Sequence, residues 1–139
     1  MIQIKKMDFV PDLPYMMYSS RELFCLRHHI HEFTKRSQEI WLIAFNFKPM
    51  IVLGIVPGEK DRPPHMWLLL CKAFEDKGVI WHMRTLKWVM PLLHKRFPQL
   101  ETFVERDWDI GQRFAQFCGF RPSGETVYEQ FRAYSVMEL

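Results

Sequence analysis

The stretch from Ile40 to Cys71 constrains this chain most, because it holds three apolar runs separated by one tight corner and one proline-rich loop. Ile40 to Asn46 and Pro49 to Val56 are rich in β-branched and aromatic residues, and the short polar corner at Phe47-Lys48 predicts an antiparallel hairpin. Pro57 to His65, with Pro57, Gly58, Pro63 and Pro64, reads as a loop. Met66 to Cys71 follows as an unbroken apolar run, the pattern of a strand buried on both faces. The longest apolar runs, Met50 to Val56 and Met66 to Cys71, fall well short of the roughly 18 to 20 residues that cross a bilayer.

The flanks supply the layers such a sheet needs. Ile2, Ile4, Phe9 and Val10 suggest a short opening strand, ended by Pro11 and Pro14. Ser19-x-x-Glu22 has the form of a capping box, and Leu23, Leu26, Ile30 and Phe33 recur every three or four residues, which predicts a helix from about Ser20 to Arg36. Met83, Leu86, Met90, Leu93 and Phe97 repeat in the same way, with His82, Arg84, Lys87, Lys95 and Arg96 off that stripe. They predict an amphipathic helix from about Val79 to Arg96 that Pro91 should kink. Leu100 to Arg106 reads as a strand, and Asp107 or Asp109 as the cap of a short helix. Ile110, Phe114 and Phe117 form the expected buried face of that helix, and Gly119 its left-handed end. One or two strands complete the chain between Phe120 and Met137, with a turn near Ser123-Gly124 or Tyr128-Glu129. The order predicts a mixed α/β (α+β) architecture.

Composition narrows the class. With 139 residues, no internal period and no linker, the chain is expected to form one domain, 1–139. Forty-eight percent hydrophobic residues, including 12 Phe and 5 Trp, rule out disorder. The N-terminus has no apolar stretch behind Lys5 and Lys6, so no signal peptide is expected. Cys25, Cys71 and Cys118 have neither disulfide nor zinc spacing and read as reduced thiols of a cytosol. A net charge of +3 builds no extended field of one sign and does not argue for a polyanion partner.

Four local patterns each carry a functional and a plain reading. His28, His29, His31 and Glu32 place His28 and Glu32 one helical turn apart, a metal-like spacing, yet no second matched pair accompanies them and surface histidines are the favoured reading. Cys71 stands at a strand end as a nucleophile or, more simply, as a small buried hydrophobe. Arg84, Lys87, Lys95 and Arg96 between and beyond Trp81 and Trp88 combine cations with aromatics as a nucleic-acid surface does, but a solvated helix face is preferred at this net charge. Leu13, Tyr15, Met16, Met17 and Tyr18 lie between prolines and form either a partner or homodimer patch or a cover for the chain's own core.

The order of elements, with the strand, cap, aromatic helix and Gly-Phe ending of Phe103 to Phe120, resembles the GNAT acetyltransferase superfamily over roughly Ile40 to Val136. The corner Asn46-Phe47-Lys48-Pro49, the run Met66-Trp67-Leu68-Leu69-Leu70 and the segment Phe97 to Val104 look most like the small GNAT-like proteins of short-tailed bacteriophages. The resemblance implies a mixed, mostly antiparallel sheet of about six or seven strands with three or four helices. It further implies acetyl-CoA as cofactor, held where the fourth and fifth strands splay apart and at the start of the next helix. Leu69, Leu70 and Cys71, then Lys72, Lys77, Gly78, Val79 and Ile80, occupy those places, and Thr102 to Glu105 the facing strand. Glu105, with Glu39 behind it, is the implied base that takes a proton from the amine; the plain reading makes both solvated strand ends.

Two departures from the family pattern matter. Its phosphate loop has two glycines, whereas Glu75-Asp76-Lys77-Gly78 keeps one and adds two acids. Counted back from Gly119, Trp108 stands at the usual helix-start Asn and Ala115 at the Tyr that protonates the departing thiolate. The expected function is a bacteriophage GNAT-like protein that binds and modulates a host or phage protein in the cytoplasm of an infected bacterium. An active acetyl-CoA-dependent N-acetyltransferase of a protein amine, or an internal virion component, are the alternatives.

Overall fold

The computed structural model describes residues 2–8, 35–71, 80–129 and 132–139. The described contacts gather into two compact units, one from Met1–Pro57 with Met66–His82, the other from Gly58–His65 with Met83–Leu139.

The first unit contains β1 (Ile2–Met7), β2 (Glu39–Phe45), β3 (Lys48–Val56) and most of β4 (His65–Leu70). β1 and β2 pair antiparallel from Ile2 opposite Phe45 to Met7 opposite Ile40. β2 and β3 form the expected hairpin, with a register shift between Ile43 and Ala44. Its corner lies one residue earlier than the composition suggests, at Asn46 and Phe47, whose φ angles of 48° and 64° are both left-handed. That is the conformation a two-residue turn needs to match strand twist. Asn tolerates it; Phe47 does so with its amide donating to Gln3 Oε1 at 3.1 Å and its ring in solvent. Met50 to Val56 are all buried, as are Met66, Trp67 and Leu69, so both apolar runs sit in the interior as their sequence demands. Ile40, Val52, Val56, Trp67, Leu69 and Cys71 form one cluster, against which Met7 and Leu42 pack.

The second unit contains β5 (Glu101–Glu105), β6 (Arg121–Glu129) and β7 (Arg132–Glu138). β7 lies between the other two and is antiparallel to both. His65, at the start of β4, pairs in parallel with Glu101 at the start of β5. All seven strands thus belong to one mostly antiparallel sheet, of order β1-β2-β3-β4-β5-β7-β6. Ser123-Gly124 is an irregularity inside β6 and not a turn: Gly124 has φ +84°, the register shifts between Pro122 and Thr126, and Ser123 Oγ accepts from the Glu125 amide at 3.1 Å.

Two helices stand among the described residues, α1 (Ile80–Arg96) and α2 (Asp109–Phe117). α1 buries Leu86, Met90 and Leu93 as its periodicity predicts, and also His82 and Val89. His82 precedes Leu86 by four and Val89 by seven residues, which puts it on the inward side despite its polarity. α2 departs further from expectation. Neither aspartate caps it: Trp108 is the N-cap residue and makes no side-chain cap hydrogen bond. Its buried residues are Gly111 and Ala115, while Ile110 is 72% and Phe117 40% exposed. Small residues let a helix backbone approach its support closely, and the Trp108 ring fills the place where a Gly111 side chain would stand. The helix ends as predicted at Gly119, with φ +100° and the Gly119 and Phe120 amides donating to the carbonyls of Gln116 and Ala115. The helix expected from Ser20 lies outside the described residues except for Lys35 and Arg36, which are helical. Among the described residues no helix is long and apolar enough to cross a membrane.

Candidate active site

Glu105 ends β5, half-buried, directly opposite Tyr134 of β7, so the two side chains leave the same face of that ladder as cross-strand neighbours. The chain is pinned immediately after it. The Glu105 carbonyl accepts from the Trp108 amide at 3.1 Å, Gln112 Nε2 donates to the Arg106 carbonyl at 2.6 Å, and the Arg106 amide donates to Ala133 at 3.0 Å. These hydrogen bonds fix the backbone that carries the Glu105 side chain. The sequence does not show that Tyr134 stands opposite Glu105, because only strand register brings the two together.

Glu39 begins β2, opposite Ile55, and belongs to the first unit. It is 6% exposed, which corrects the reading of it as a solvated strand end. Its neighbour Gln38 already donates its amide to the Ile55 carbonyl at 2.8 Å, so the ladder begins early enough to draw Glu39 inside.

Of the residues named for acetyl-CoA, Leu69 and Cys71 lie buried in the apolar cluster of the first unit. The Cys71 amide donates to the Met50 carbonyl at 2.8 Å and is committed to the sheet. Cys71 is therefore a buried thiol among hydrocarbon side chains, the plain reading of the sequence. Ile80 is the exposed first residue of α1. The Leu70 side chain and all of Lys72, Lys77, Gly78 and Val79 lie outside the described residues, as do Leu13, Tyr15, Met16, Met17, Tyr18 and the cluster His28, His29, His31 and Glu32. Leu69, Cys71 and Ile80, the described members of this set, carry no charged side chain.

The second unit also holds a polar cluster that sequence reading missed. Arg62 grips Glu101 through two hydrogen bonds, Nε to Oε1 at 3.0 Å and a terminal nitrogen to Oε2 at 3.2 Å, and reaches Glu125 at 2.9 Å. Its guanidinium lies 5.7 Å from the centre of the Phe103 ring, against which His65 also packs at 5.1 Å. Glu101 is 2% exposed, and its amide donates to the Pro64 carbonyl at 3.0 Å. Burial pushes the Glu101 carboxyl above the ordinary carboxylate range; the Arg62 hydrogen bonds oppose that rise and the Glu125 and Glu138 charges add to it. Glu125 first, then Glu101, hold the Arg62 guanidinium firmly protonated. The cluster ties the loop before β4 to the start of β5, a structural task. The one sequence signal for it was an acid at the head of a strand.

The buried residues of α2 carry no hydroxyl group. Ala115 is a buried methyl, Gly111 has no side chain, and burial pushes the Cys118 thiol, one residue past the helix, up to about 12.

No family model and no curated protein sequence matches the chain. Solved structures do. An aminoglycoside acetyltransferase AAC(6')-Ib in complex with coenzyme A and kanamycin aligns with 100% of this chain and 94% of its own, at a TM-score of 0.69 and 14% identity. An acetyltransferase of Bacillus subtilis in complex with CoA aligns over 100% and 98%, at 0.64 and 12% identity. An IAA acetyltransferase of Bacillus cereus aligns over 100% and 99%, at 0.62 and 13% identity. These neighbours are GNAT acetyltransferases, and the likeness, at such low identity, shows that this chain has their fold.

Proposed function

We propose that this chain is a protein-binding member of the GNAT fold class, which keeps the architecture of an acetyltransferase and uses its surface to bind and modulate a host or phage protein in an infected bacterial cytoplasm. The observation that carries the reading is α2, where Ala115, a buried methyl, stands at the position that the resemblance gives to a proton-donating Tyr. The single glycine and two acids of Glu75 to Gly78 point the same way, since an anion needs close backbone and no like charge. Leu13, Tyr15, Met16, Met17 and Tyr18 are a proposed contact segment.

One observation favours a second reading, an active acetyl-CoA-dependent N-acetyltransferase of a protein amine with Glu105 as base. The fold matches CoA-bound acetyltransferases from end to end. Thermal unfolding with and without acetyl-CoA and free CoA separates the two. A ligand at about 100 times its dissociation constant adds roughly 2.7 kcal/mol to native stability. The protein-binding reading expects no shift at millimolar cofactor; a clear upward shift replaces it with the enzyme reading.

A further inference from the structure

The outward side of α1 is chemically one-sided. Its 17 residues include Arg84, Lys87, Lys95 and Arg96 and not one Asp or Glu. The helix alone thus carries more positive charge than the whole chain, whose net charge is +3. Arg84, Lys87, Trp88, Pro91, Leu92 and Lys95 are all exposed, and each lies three or four residues from others of the set, so they share one face. Trp88 is 58% and Leu92 53% exposed, one turn apart in the middle of that face.

Folding accounts for only part of this arrangement. His94, Lys95 and Arg96 complement the negative C-terminal end of the helix, and Arg96 also lies 5.7 Å from the centre of the Phe97 ring. Arg84 and Lys87 gain nothing from the dipole in the N-terminal half, and as like charges three residues apart they repel each other by a few tenths of a kcal/mol. Leaving Trp88 and Leu92 half in water gives up apolar burial that the inward side of the helix obtains. An apolar centre within a charged rim is the anatomy of a protein docking surface, with tryptophan the residue most enriched at its energetic centre. Phosphates would satisfy the cations and a base would stack on Trp88, but Leu92 and Pro91 offer a nucleic acid nothing.

We propose that this face of α1 docks an acidic amphipathic segment of the partner protein, with Trp88 and Leu92 as apolar anchors and Arg84, Lys87 and Lys95 pairing with its carboxylates; the inference rests on the protein-binding reading above. The face names the partner's chemistry.

Panning a random-peptide display library against the full chain, then measuring the selected peptide by fluorescence anisotropy, tests it. The expected peptides combine acids with one or two large apolar residues. Trp88→Ala and Lys87→Glu should each weaken binding by about tenfold or more while the melting temperature holds, because both side chains are exposed. Binding should also fall as salt rises. Peptides that bind both variants as tightly as the parent chain overturn this docking face while leaving a protein-binding function in place. No enrichment of acidic sequences overturns it too. Tighter Trp88-dependent binding of a single-stranded oligonucleotide, or of phosphatidylserine vesicles, replaces it with a different partner class. A thermal shift with acetyl-CoA, by contrast, removes the reading beneath it without altering the peptide result.

Discussion

Single residues show how local rules yield to neighbours. Replacing a strand glycine by alanine ordinarily stabilises a protein by about 0.4 to 1 kcal/mol, because it restricts the unfolded chain. At Gly54 the sign reverses. A Cβ there overlaps the buried indole of Trp67, whose Nε1 is fixed by donation to Ser37 Oγ at 2.8 Å. Overpacking of this kind costs about 1 to 3 kcal/mol, so Gly54→Ala should destabilise by about 1 to 2 kcal/mol in urea unfolding and disturb the near-ultraviolet signal of the tryptophan. Glu101 makes a second residue-scale prediction. Because burial raises its folded pKa, the folded state holds that proton more tightly than the unfolded chain does. The stability this contributes is complete in acid and is lost as pH climbs from about 4.3, the ordinary glutamate value, through the raised folded value. Unfolding of the parent chain and of Glu101→Gln across that window should show the parent losing stability relative to the variant as pH rises; parallel profiles would contradict the raised pKa. Glu101 was legible only as an acid heading a strand, since nothing in the sequence joins it to Arg62, 39 residues earlier.

At the scale of elements, the sequence succeeds where a pattern has one structural solution. The hairpin of β2 and β3, the buried β4 and the span of α1 follow from composition and spacing, and each lies within a residue or two of its expected limits. The end of α2 belongs here as well. Gly119 at φ +100° closes a helix whose last carbonyls need its backbone, and a side chain there would sit 3.4 Å from Leu139 Cδ2, an ordinary contact. Backbone strain alone therefore sets the effect, and Gly119→Ala should cost about 1 kcal/mol by denaturant unfolding without changing the fold. The buried side of α2 was misread because the sequence holds two adjacent stripes, Ile110-Phe114-Phe117 and Gly111-Ala115-Cys118. Hydrophobicity favours the first. Close approach of a helix to its support favours the second, which is the one found buried, with Cys118 included.

On the scale of the whole molecule, the element order together with the segment Phe103 to Phe120 resembles the GNAT acetyltransferases, and solved structures that share little identity with this chain bear out that fold. Apolar runs and their spacing dictate which segments are strands and helices and so a mixed α/β sheet, whereas the particular fold came from the family resemblance. Function was less accessible. The cofactor positions inferred from the resemblance include Leu69 and Cys71, which the structure commits to an apolar cluster. The cationic residues of α1 were visible as a list of letters, and a modest net charge made them look like an ordinary solvated face. By itself the sequence determined β2, β3, β4, the span of α1 and the glycine end of α2, because these depend on contacts within a few residues. Only the tertiary structure decided which side of α2 is buried, that Tyr134 stands beside Glu105, that Arg62 holds Glu101, and that Trp88 and Leu92 remain in water, because each depends on residues brought together from distant parts of the chain.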